Sequence, residues 1–274
     1  MQRSTRWVGF IALSIILLTT FVGTAYYTYA ASHHSHNRPA TAIKTQPQKQ
    51  TPTPIPTPTS QGNGPWSLVF SDDFNGNQLN SQWITYNGVY SIGNSAWDPR
   101  EIKVDGGMLH IGMEKKTTNG KPYTSGGMGA MGLSQTYGKY EFRARLPRGK
   151  GVGPYAILWP QATGHGDVEV DLFESPPANK DKIYYTNHGA GQSSQVIAPG
   201  NFADAFHTFT YEWTPGKLDL QIDGVEQGSM TKNVPNFPMW FGTAISSGDA
   251  FTGSPDNSTA LPVSLDVDWV HIYK

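Results

Sequence analysis

Short stretches of strand length, in which apolar residues run together or alternate with polar ones, recur along the chain after residue 65. They are WSLVF, EIKV, MLHIGM, YGKYEFRARL, YAILW, DVEVDLF, KIYYTNH, FHTFTYEW, KLDLQI, PMWFGTAI and VSLDVDWVHIY. Turn signals rich in Gly, Pro, Asn and Asp, such as DGG, PRGKG and TPGK, separate them. No segment keeps a helical spacing over three turns. The pattern predicts an all-β domain, an antiparallel β-sandwich.

Two of these stretches alternate strictly, as expected where one face of a strand is buried and the other is wet. In YGKYEFRARL the apolar positions are Tyr140, Phe142, Ala144 and Leu146. KLDLQIDG alternates in the same way and ends in Asp223 and Gly224, a pair that favours a two-residue hairpin turn. Both stretches are therefore predicted to be strands with one face in the core.

The start of the chain departs from this pattern. Arg3 and Arg6 precede an uncharged, mostly apolar run from Trp7 to Ala31. The run is long enough to cross a bilayer and ends in small residues that permit cleavage, so residues 1–31 are either a signal peptide or an N-terminal membrane anchor. In both cases the two arginines favour export of the remainder. We expect a protein that is secreted or anchored to the outer face of the cytoplasmic membrane.

Residues 32–64 have a second distinct composition, rich in Pro, Thr, Gln and Ser. Such a segment cannot bury a core, and it is predicted to be an extended, disordered linker. Its histidines, His33, His34 and His36, have no acidic neighbours and are interpreted as incidental rather than as a metal site. Residues 65–274, roughly 210 residues, then form one folded domain.

Composition narrows the range of partners. Charged residues make up 15% of the chain and the formal net charge is -1, so the basic field that nucleic acid requires is missing. The chain contains no cysteine, which excludes disulfides and thiolate metal sites. We therefore expect no nucleic-acid partner, and we expect a monomer.

The most unusual stretch is GDVEVDLFES, in which acidic and apolar residues nearly alternate. Side chains switch faces at every residue of a strand, so Glu169 and Asp171 share one face. Two adjacent apolar residues, Leu172 and Phe173, then interrupt the alternation. One extra residue at this point is a β-bulge, which would return Glu174 to the face of the other two acids.

Clustered carboxylates repel one another unless solvent or a partner accommodates them. Hydrolysis of a glycosidic bond is one use for such a cluster, because two carboxyl groups about 5–5.5 Å apart can serve as nucleophile and as general acid and base. Glu169 and Glu174 are candidates for this pair, and a hydrogen bond from Asp171 would hold Glu169 in place. A solvated strand without chemistry is the alternative, and Asp167 has no assigned role.

The same stretch resembles the active-site strand of glycoside hydrolase family 16, whose pattern is Glu, an aliphatic residue, Asp, one or two apolar residues, and Glu. Two apolar residues, as here, are typical of the bulged branch with laminarinases, agarases and carrageenases. Further blocks resemble the family in the same order: VFSDDFNGNQLNSQW, SGGMGAMGLSQTYGKYEFRARLPRGKGVGPYAILWP, FHTFTYEWTPGKLDLQIDG and LDVDWVHIYK. The resemblance covers essentially all of residues 66–274.

The resemblance implies a concanavalin A-like jelly-roll β-sandwich of two antiparallel sheets, with a cleft and a retaining mechanism. By position, Glu169 matches the nucleophile, Asp171 the assisting acid and Glu174 the general acid and base. Trp159 matches an aromatic residue that supports a sugar ring, and His188 resembles a histidine of the cleft. Core packing is the alternative for both.

Three more positions are interpreted from their sequence context. Asn94 and Trp97, in GNSAWDP, are predicted to contact substrate at the rim of the cleft. Trp213 lies in a block that resembles the family, but we expect it to pack in the core.

The resemblance also implies a structural calcium ion away from the chemistry, whereas the reaction itself needs no cofactor. The matching positions are the side chain of Asp268 and the main-chain carbonyls of Asp73 and Gly107. Oxygen ligands of this kind suit calcium. An exposed acid on a terminal strand is the alternative for Asp268.

Taken together, these features predict an endo-acting hydrolase of a β-linked polysaccharide, most naturally β-1,3- or mixed β-1,3/1,4-glucan. Departures from the family, such as NHG for HYG and WFGTAISSGD after FPM, leave the sugar specificity open. Two alternatives remain: a transglycosylase that remodels a cell-envelope glycan, and a non-catalytic carbohydrate-binding sandwich.

Overall fold

A computed structural model of the chain describes residues 65–89, 93–165, 168–189 and 192–274. The strands are β1 (Leu68–Asp72), β2 (Ile84–Thr85), β3 (Gly88–Val89), β4 (Ser95–Trp97), β5 (Ile102–Asp105), β6 (Met108–Glu114), β7 (Tyr123–Ser125), β8 (Gly127–Gly129), β9 (Gly138–Arg145), β10 (Gly153–Pro160), β11 (Glu169–Glu174), β12 (Lys182–Gly189), β13 (Gln192–Pro199), β14 (His207–Thr214), β15 (Lys217–Ile222), β16 (Val225–Met230), β17 (Met239–Ser246) and β18 (Val263–Tyr273). Two single-turn 3-10 helices occupy Pro99–Glu101 and Met131–Leu133.

The strands form two sheets. The large sheet has the order β16-β15-β14-β9-β18-β6-β7-β4-β3, with β1 beside β18 and β5 beside β6. The small sheet has the order β13-β12-β11-β10-β17-β8-β2. Neighbours pair antiparallel, as predicted, apart from the parallel pair of β4 and β7.

Aromatic rings from both sheets fill the core between them. Phe142 on β9 stacks on Phe209 and Tyr211 of the same sheet, with ring centroids 5.2 and 5.9 Å apart. Across the interface it meets Phe173 on β11 and Phe241 on β17, at 5.4 and 5.7 Å. Ring contacts of this geometry add to the burial of apolar area, so the small sheet is fixed firmly against the large one.

Every apolar stretch that predicted a strand coincides with one. The predicted core positions of YGKYEFRARL, which contains β9, are buried, with exposed fractions of 1% for Tyr140, 2% for Phe142, 1% for Ala144 and 2% for Leu146. Asp223 and Gly224 join β15 to β16 with φ angles of 52° and 75°, as the predicted hairpin turn requires. Trp213 is buried and donates from Nε1 to the carbonyl of Pro235 at 3.0 Å, which confirms its place in the core.

The described part of the chain contains no helix long and apolar enough to cross a membrane. The predicted signal peptide or anchor at 1–31 and the predicted linker at 32–64 lie outside the described residues. Asp167, the acid without an assigned role, lies outside them as well.

Candidate active site

A β-bulge at Leu172 sets the direction of the acids on β11. Against β10, Ala156 is opposite Phe173 and the next residue, Ile157, is opposite Asp171, so Leu172 is the extra residue. Leu172 and Phe173 are both buried, at 0% and 1% exposed. The interruption that the sequence predicts is therefore a bulge with both apolar side chains taken into the interior.

The bulge brings three carboxylates to one face of the small sheet. Along β12, Glu169 is opposite His188, Asp171 is opposite Thr186 and Glu174 is opposite Tyr184. His188, Thr186 and Tyr184 are spaced two residues apart on a regular strand, so their side chains share one face of the sheet. The three acids directly opposite them lie on that face as well. We call this surface of the small sheet the site face.

His188 is hydrogen-bonded within the site face. Its Nε2 lies 2.8 Å from Oδ2 of Asp171, and its Nδ1 lies 3.1 Å from the hydroxyl of Ser193 on β13. Asp171 is 3% exposed, so its carboxylate needs such partners. The structure thus places His188 beside the acids rather than in the core. Its hydrogen bond with Asp171 is a contact that the sequence did not predict.

The environment of Glu169 and Glu174 favours the neutral forms of these two acids. Burial, then the charge of Asp171 and a hydrogen bond with its side chain, raises the pKa of Glu169 well above the usual carboxyl range. Burial and the charge of Asp171 also raise the pKa of Glu174, and Asp249 contributes to that shift. The hydrogen bond with Asp171 raises the pKa of His188, so a protonated imidazole can offset part of the negative charge. Groups of this kind are typical of acid–base catalysis.

Aromatic residues border Glu169. Leu158 on β10 is opposite Val170 and both are fully buried, so the adjacent pair, Trp159 and Glu169, lies on the site face. Trp240 on β17 is opposite Trp159 and continues this surface. Trp159 is therefore half-buried on the site face rather than enclosed in the core. In this position its flat indole can contact the apolar face of a sugar ring.

Tyr86 is a site residue that the sequence analysis missed. Its ring meets Trp97 at 5.1 Å and Trp240 at 6.4 Å, and the charge of Glu169 helps raise its pKa after burial. Its hydroxyl is buried and has no hydrogen-bond partner among the described residues. A Cβ at Gly242 would lie 2.5 Å from that hydroxyl, so the glycine makes room for it. Tyr86 stands in a turn-like YNG sequence, and its local pattern gave no signal of this position.

Trp97 and Asn94, predicted at the rim, have different surroundings. Trp97 reaches the Glu169 side of the site through its contact with Tyr86. Asn94 instead holds a loop: its Nδ2 donates to the hydroxyl of Ser254 at 3.0 Å, and its backbone N–H donates to the carbonyl of Ser247 at 2.8 Å. Direct contact of either residue with substrate stays a prediction.

The predicted calcium positions meet at one point of the large sheet. β6 and β1 flank the same side of β18, and their ends, next to Gly107 and Asp73, meet beside Asp268. The carboxylate of Asp268 accepts a hydrogen bond from Nη1 of Arg143 at 2.5 Å. The calcium ion itself stays a prediction. The described residues contain no cluster of three or more His, Asp and Glu side chains suited to a metal.

Comparisons with known proteins agree with this geometry. The model of "Glycosyl hydrolases family 16" matches residues 91–271. A beta-glucanase from Rhodothermus marinus is 27% identical over 76% of this chain and 85% of its own length. A keratan-sulfate endo-1,4-beta-galactosidase from Sphingobacterium multivorum is 28% identical over 76% of this chain and 55% of its own length. The laminarinase catalytic domain from Thermotoga maritima superposes with a TM-score of 0.71 at 24% identity, covering 76% of this chain and 98% of that one.

The family model spans more than half of the chain, and the fold matches a laminarinase along nearly the whole of that domain. The two sheets are those expected of the jelly roll, and the acids that the family pattern contains lie together on the site face. The chain therefore belongs to glycosyl hydrolase family 16, and it is a glycoside hydrolase.

Proposed function

We propose that this enzyme cleaves β-1,3- or mixed β-1,3/1,4-glucan internally and retains the anomeric configuration, with Glu169 as nucleophile and Glu174 as general acid and base. The observation that carries the proposal is the bulge at Leu172, which puts Glu174 on the same face as Glu169 and Asp171. A buried, bulged strand with three carboxylates has no evident structural use, because the burial of like charges destabilises the fold.

In the first half of the reaction, protonated Glu174 donates its proton to the glycosidic oxygen while the carboxylate of Glu169 attacks the anomeric carbon. The bond to the leaving sugar breaks, and a glycosyl ester of Glu169 forms. The raised pKa of Glu174 supports its role, because the group must hold a proton near neutral pH.

In the second half, the carboxylate of Glu174 takes a proton from water as the water oxygen attacks the anomeric carbon. The ester bond breaks and Glu169 leaves as a carboxylate. Two displacements at one carbon restore the original configuration.

Asp171 and His188 support the nucleophile. The side chain of Asp171 hydrogen-bonds to Glu169 and, through Oδ2, to Nε2 of His188. Glu169 must be ionised to attack, although its pKa is raised. A protonated His188, with Nε2 2.8 Å from Oδ2 of Asp171, offsets part of the negative charge of the two carboxylates and so lowers the cost of ionising Glu169.

The relatives support a β-linked polysaccharide but differ in the sugar. One is named a beta-glucanase and another an endo-1,4-beta-galactosidase. The aromatic surface of Trp159, Trp240 and Tyr86 suits the flat apolar faces of β-linked pyranoses in general. We choose glucan because the fold match is to a laminarinase, and we propose that the enzyme acts outside the cytoplasm, where such polymers occur.

The test is a panel of laminarin, mixed-linkage glucan, agarose, keratan sulfate and xyloglucan, incubated with the full chain in mild detergent. We expect internal cleavage of the glucans with β-anomeric products. Glu169→Gln should lose at least a thousandfold in turnover, whereas Glu226→Gln, at an exposed position on β16, should keep it.

Three outcomes would contradict parts of the proposal. Inverted products would exclude the assigned roles, and cleavage of a galactan alone would exclude the substrate. Binding of a glycan without cleavage, equal in the wild type and in Glu169→Gln, would indicate a carbohydrate-binding sandwich instead.

A further inference from the structure

Glu101 ends the 3-10 turn that follows β4, and its carboxylate lies over the outer face of β6. A Cβ at Gly112 would lie 2.8 Å from Oε2 of Glu101, so the absence of a side chain at Gly112 makes room for this carboxylate. Ile111 and Met113 on β6 are fully buried, so the alternate positions Gly112 and Glu114 face outwards. The outer face of β6 therefore brings Glu101 to Glu114.

The carboxyl groups of Glu101 and Glu114 share a proton. Their side chains are hydrogen-bonded to each other, and because an ionised carboxylate only accepts hydrogen bonds, one of the two must be protonated. Nζ of Lys116 donates to Oε1 of Glu114 at 3.0 Å, and this bond lowers the pKa of Glu114. Burial, then the charge of Glu114 and the hydrogen bond with it, raises the pKa of Glu101 to about 7. The proton therefore belongs to Glu101.

Other charged groups near the pair weaken the repulsion between the two glutamates without removing it. They are Lys103, Lys116, Arg100 paired with Asp98, and His110 paired with Asp266. The two lysines lower the pKa of Glu101, but by less than burial and Glu114 raise it. The arginine and the histidine are hydrogen-bonded to their own acids at 3.0 and 2.8 Å. Loss of the shared proton therefore leaves two ionised carboxylates side by side.

The turn that ends at Glu101 also holds β4, the strand that carries Trp97. The backbone N–H of Asp98 donates to the carbonyl of Ser125 on β7 at 3.0 Å, and that of Glu101 donates to the carbonyl of Asp98 at 3.0 Å. β4 is only three residues long and ends at Trp97. A movement of Glu101 away from β6 therefore displaces the end of β4.

The same turn packs against the segment that supports Tyr86. A Cβ at Gly126 would lie 2.9 Å from the carbonyl oxygen of Glu101, and a Cβ at Gly127 would lie 2.5 Å from the ring of Tyr86. Trp97 contacts the same ring, with centroids 5.1 Å apart. The turn, Trp97 and Tyr86 are thus packed together, so the position of the turn affects both aromatic residues.

We propose that Glu101 is a positioning residue for Trp97, and that the proton it shares with Glu114 makes the affinity of the enzyme for its polysaccharide fall as the pH rises above neutral. The inference rests on the proposed function, because Trp97 is predicted to contact substrate. When the proton is lost, the two carboxylates repel each other and the turn moves away from β6. Since the pKa of Glu101 is raised, the stabilisation by the shared proton is present at acid pH and is lost as the pH rises through about 7.

The first measurement is amide hydrogen exchange of the full chain at pH 6 and pH 8.5, read by mass spectrometry on peptides that cover residues 94–105. The wild type is compared with Glu101→Gln and Glu114→Gln, because the amide of either glutamine can donate to the remaining carboxylate at both pH values. Protection factors, which correct for the intrinsic exchange rate, should fall about threefold in the wild type and stay constant in both variants. Glu226→Gln, at an exposed position on β16, is the control and should behave as the wild type does.

The second measurement is KM for laminarin at the same two pH values. The KM of the wild type should rise about three- to tenfold, the effect of one aromatic contact, whereas that of Glu101→Gln should stay constant. Titration of the catalytic glutamates changes kcat in both proteins, so the comparison of KM between them separates the turn from the chemistry. Trp97→Ala should have a high KM at both pH values with no further rise, because the residue through which Glu101 acts is missing.

Three results would overturn the inference. They are equal protection of the wild type at both pH values, an equal loss of protection in Glu101→Gln, and a KM that rises with pH in Trp97→Ala as it does in the wild type. If the wild type cleaves no polymer, the proposed function fails, whereas a loss of protection confined to proteins with both glutamates would still support the shared proton.

Discussion

Lys180 is a lysine without solvent contact in the turn after β11, and its replacement by methionine tests how strongly this region is desolvated. Its exposed fraction is 0%, and Nζ donates to the carbonyls of Val152 at 2.6 Å and Pro177 at 2.8 Å. These bonds join the segment after Glu174 to the start of β10. Burial, with a smaller effect of Arg148, lowers the pKa of Lys180 to about 7 from 10.5.

The sign of the effect follows from where the proton binds. The unfolded chain holds the Lys180 proton up to about pH 10.5, whereas the folded chain releases it near pH 7. Between these values the unfolded state binds more protons, so the stability of the wild type rises with pH. The destabilisation caused by burying the protonated lysine is constant below about pH 7 and absent above about pH 10.5.

The magnitude comes from the difference in bound protons between pH 7 and pH 9. At pH 7 the folded lysine is half protonated and the unfolded one fully, and at pH 9 the folded lysine carries almost no proton. The integral over this interval is about 1.7 pH units, or about 2 kcal/mol at 1.36 kcal/mol per unit. For a domain of this size that corresponds to about 4–8 °C in Tm.

The assay is thermal unfolding of the wild type and of Lys180→Met at pH 7 and pH 9. Methionine has a similar length and does not titrate, so the other titrating groups largely cancel in the comparison. We expect the Tm of the wild type relative to the variant to increase by about 4–8 °C between the two pH values. Lys182→Met, at an exposed position two residues away, is the control and should show no such change. A difference in Tm that is the same at both pH values would refute the desolvation of Lys180.

Four further predictions concern the site and the calcium. Glu174→Gln should lose about 10²–10⁴-fold in kcat/KM on polysaccharide but much less on an aryl glycoside with a good leaving group, because kcat/KM reports the first half of the reaction and that leaving group needs no proton, whereas kcat stays low because the second half still lacks its base; equal losses of kcat/KM on both substrates would contradict the acid role. Asp249→Asn should move the alkaline limb of the kcat/KM profile to lower pH, since the charge of Asp249 helps raise the pKa of Glu174 while an amide oxygen can still accept the backbone N–H groups of Phe251 and Thr252; an unmoved limb would exclude this influence. His188→Gln should destabilise the fold more at pH 5 than at pH 9 in chemical unfolding, because a raised pKa means stability that is fully present below the unfolded value and lost as pH rises through the folded one; the opposite order would show that the imidazole is neutral in the fold. Calcium should raise the Tm of the wild type and not that of Asp268→Asn, with EDTA as the baseline, and an equal response of both would place the ion elsewhere.

Strands were predicted correctly where the burial of one face gives the sequence an alternation of apolar and polar residues. β9 and β15 lie inside the large sheet, and their alternation reports one buried face. β13 and β16 were not predicted, and both are edge strands. The strands β2, β3, β4, β7 and β8 were not predicted either, because two or three residues are too few to show a period. An edge strand such as QSSQVIAP buries few side chains, so it lacks the periodicity from which a strand is recognised.

The acids on β11 were predictable because their signal is local. Alternation, its interruption and the return to an acid all fall within a few residues, and a single bulge is the simplest way to reconcile them. Tyr86 and Asp249 were missed because neither stands in such a pattern. Each comes from a segment with turn signals, and only the packing of distant strands and loops brings it near the acids.

The sequence by itself determined the class of fold, the strand that carries the chemistry and the bulge that directs Glu174, because periodicity and bulges are properties of one strand and its neighbours. Only the tertiary structure decided what surrounds the acids: the bond from His188 to Asp171, the hydroxyl of Tyr86 above Gly242, and the ring of Phe251 against Tyr184. These contacts join residues from separate strands and loops. Their geometry depends on how two sheets pack and twist, which no local pattern in a single chain specifies.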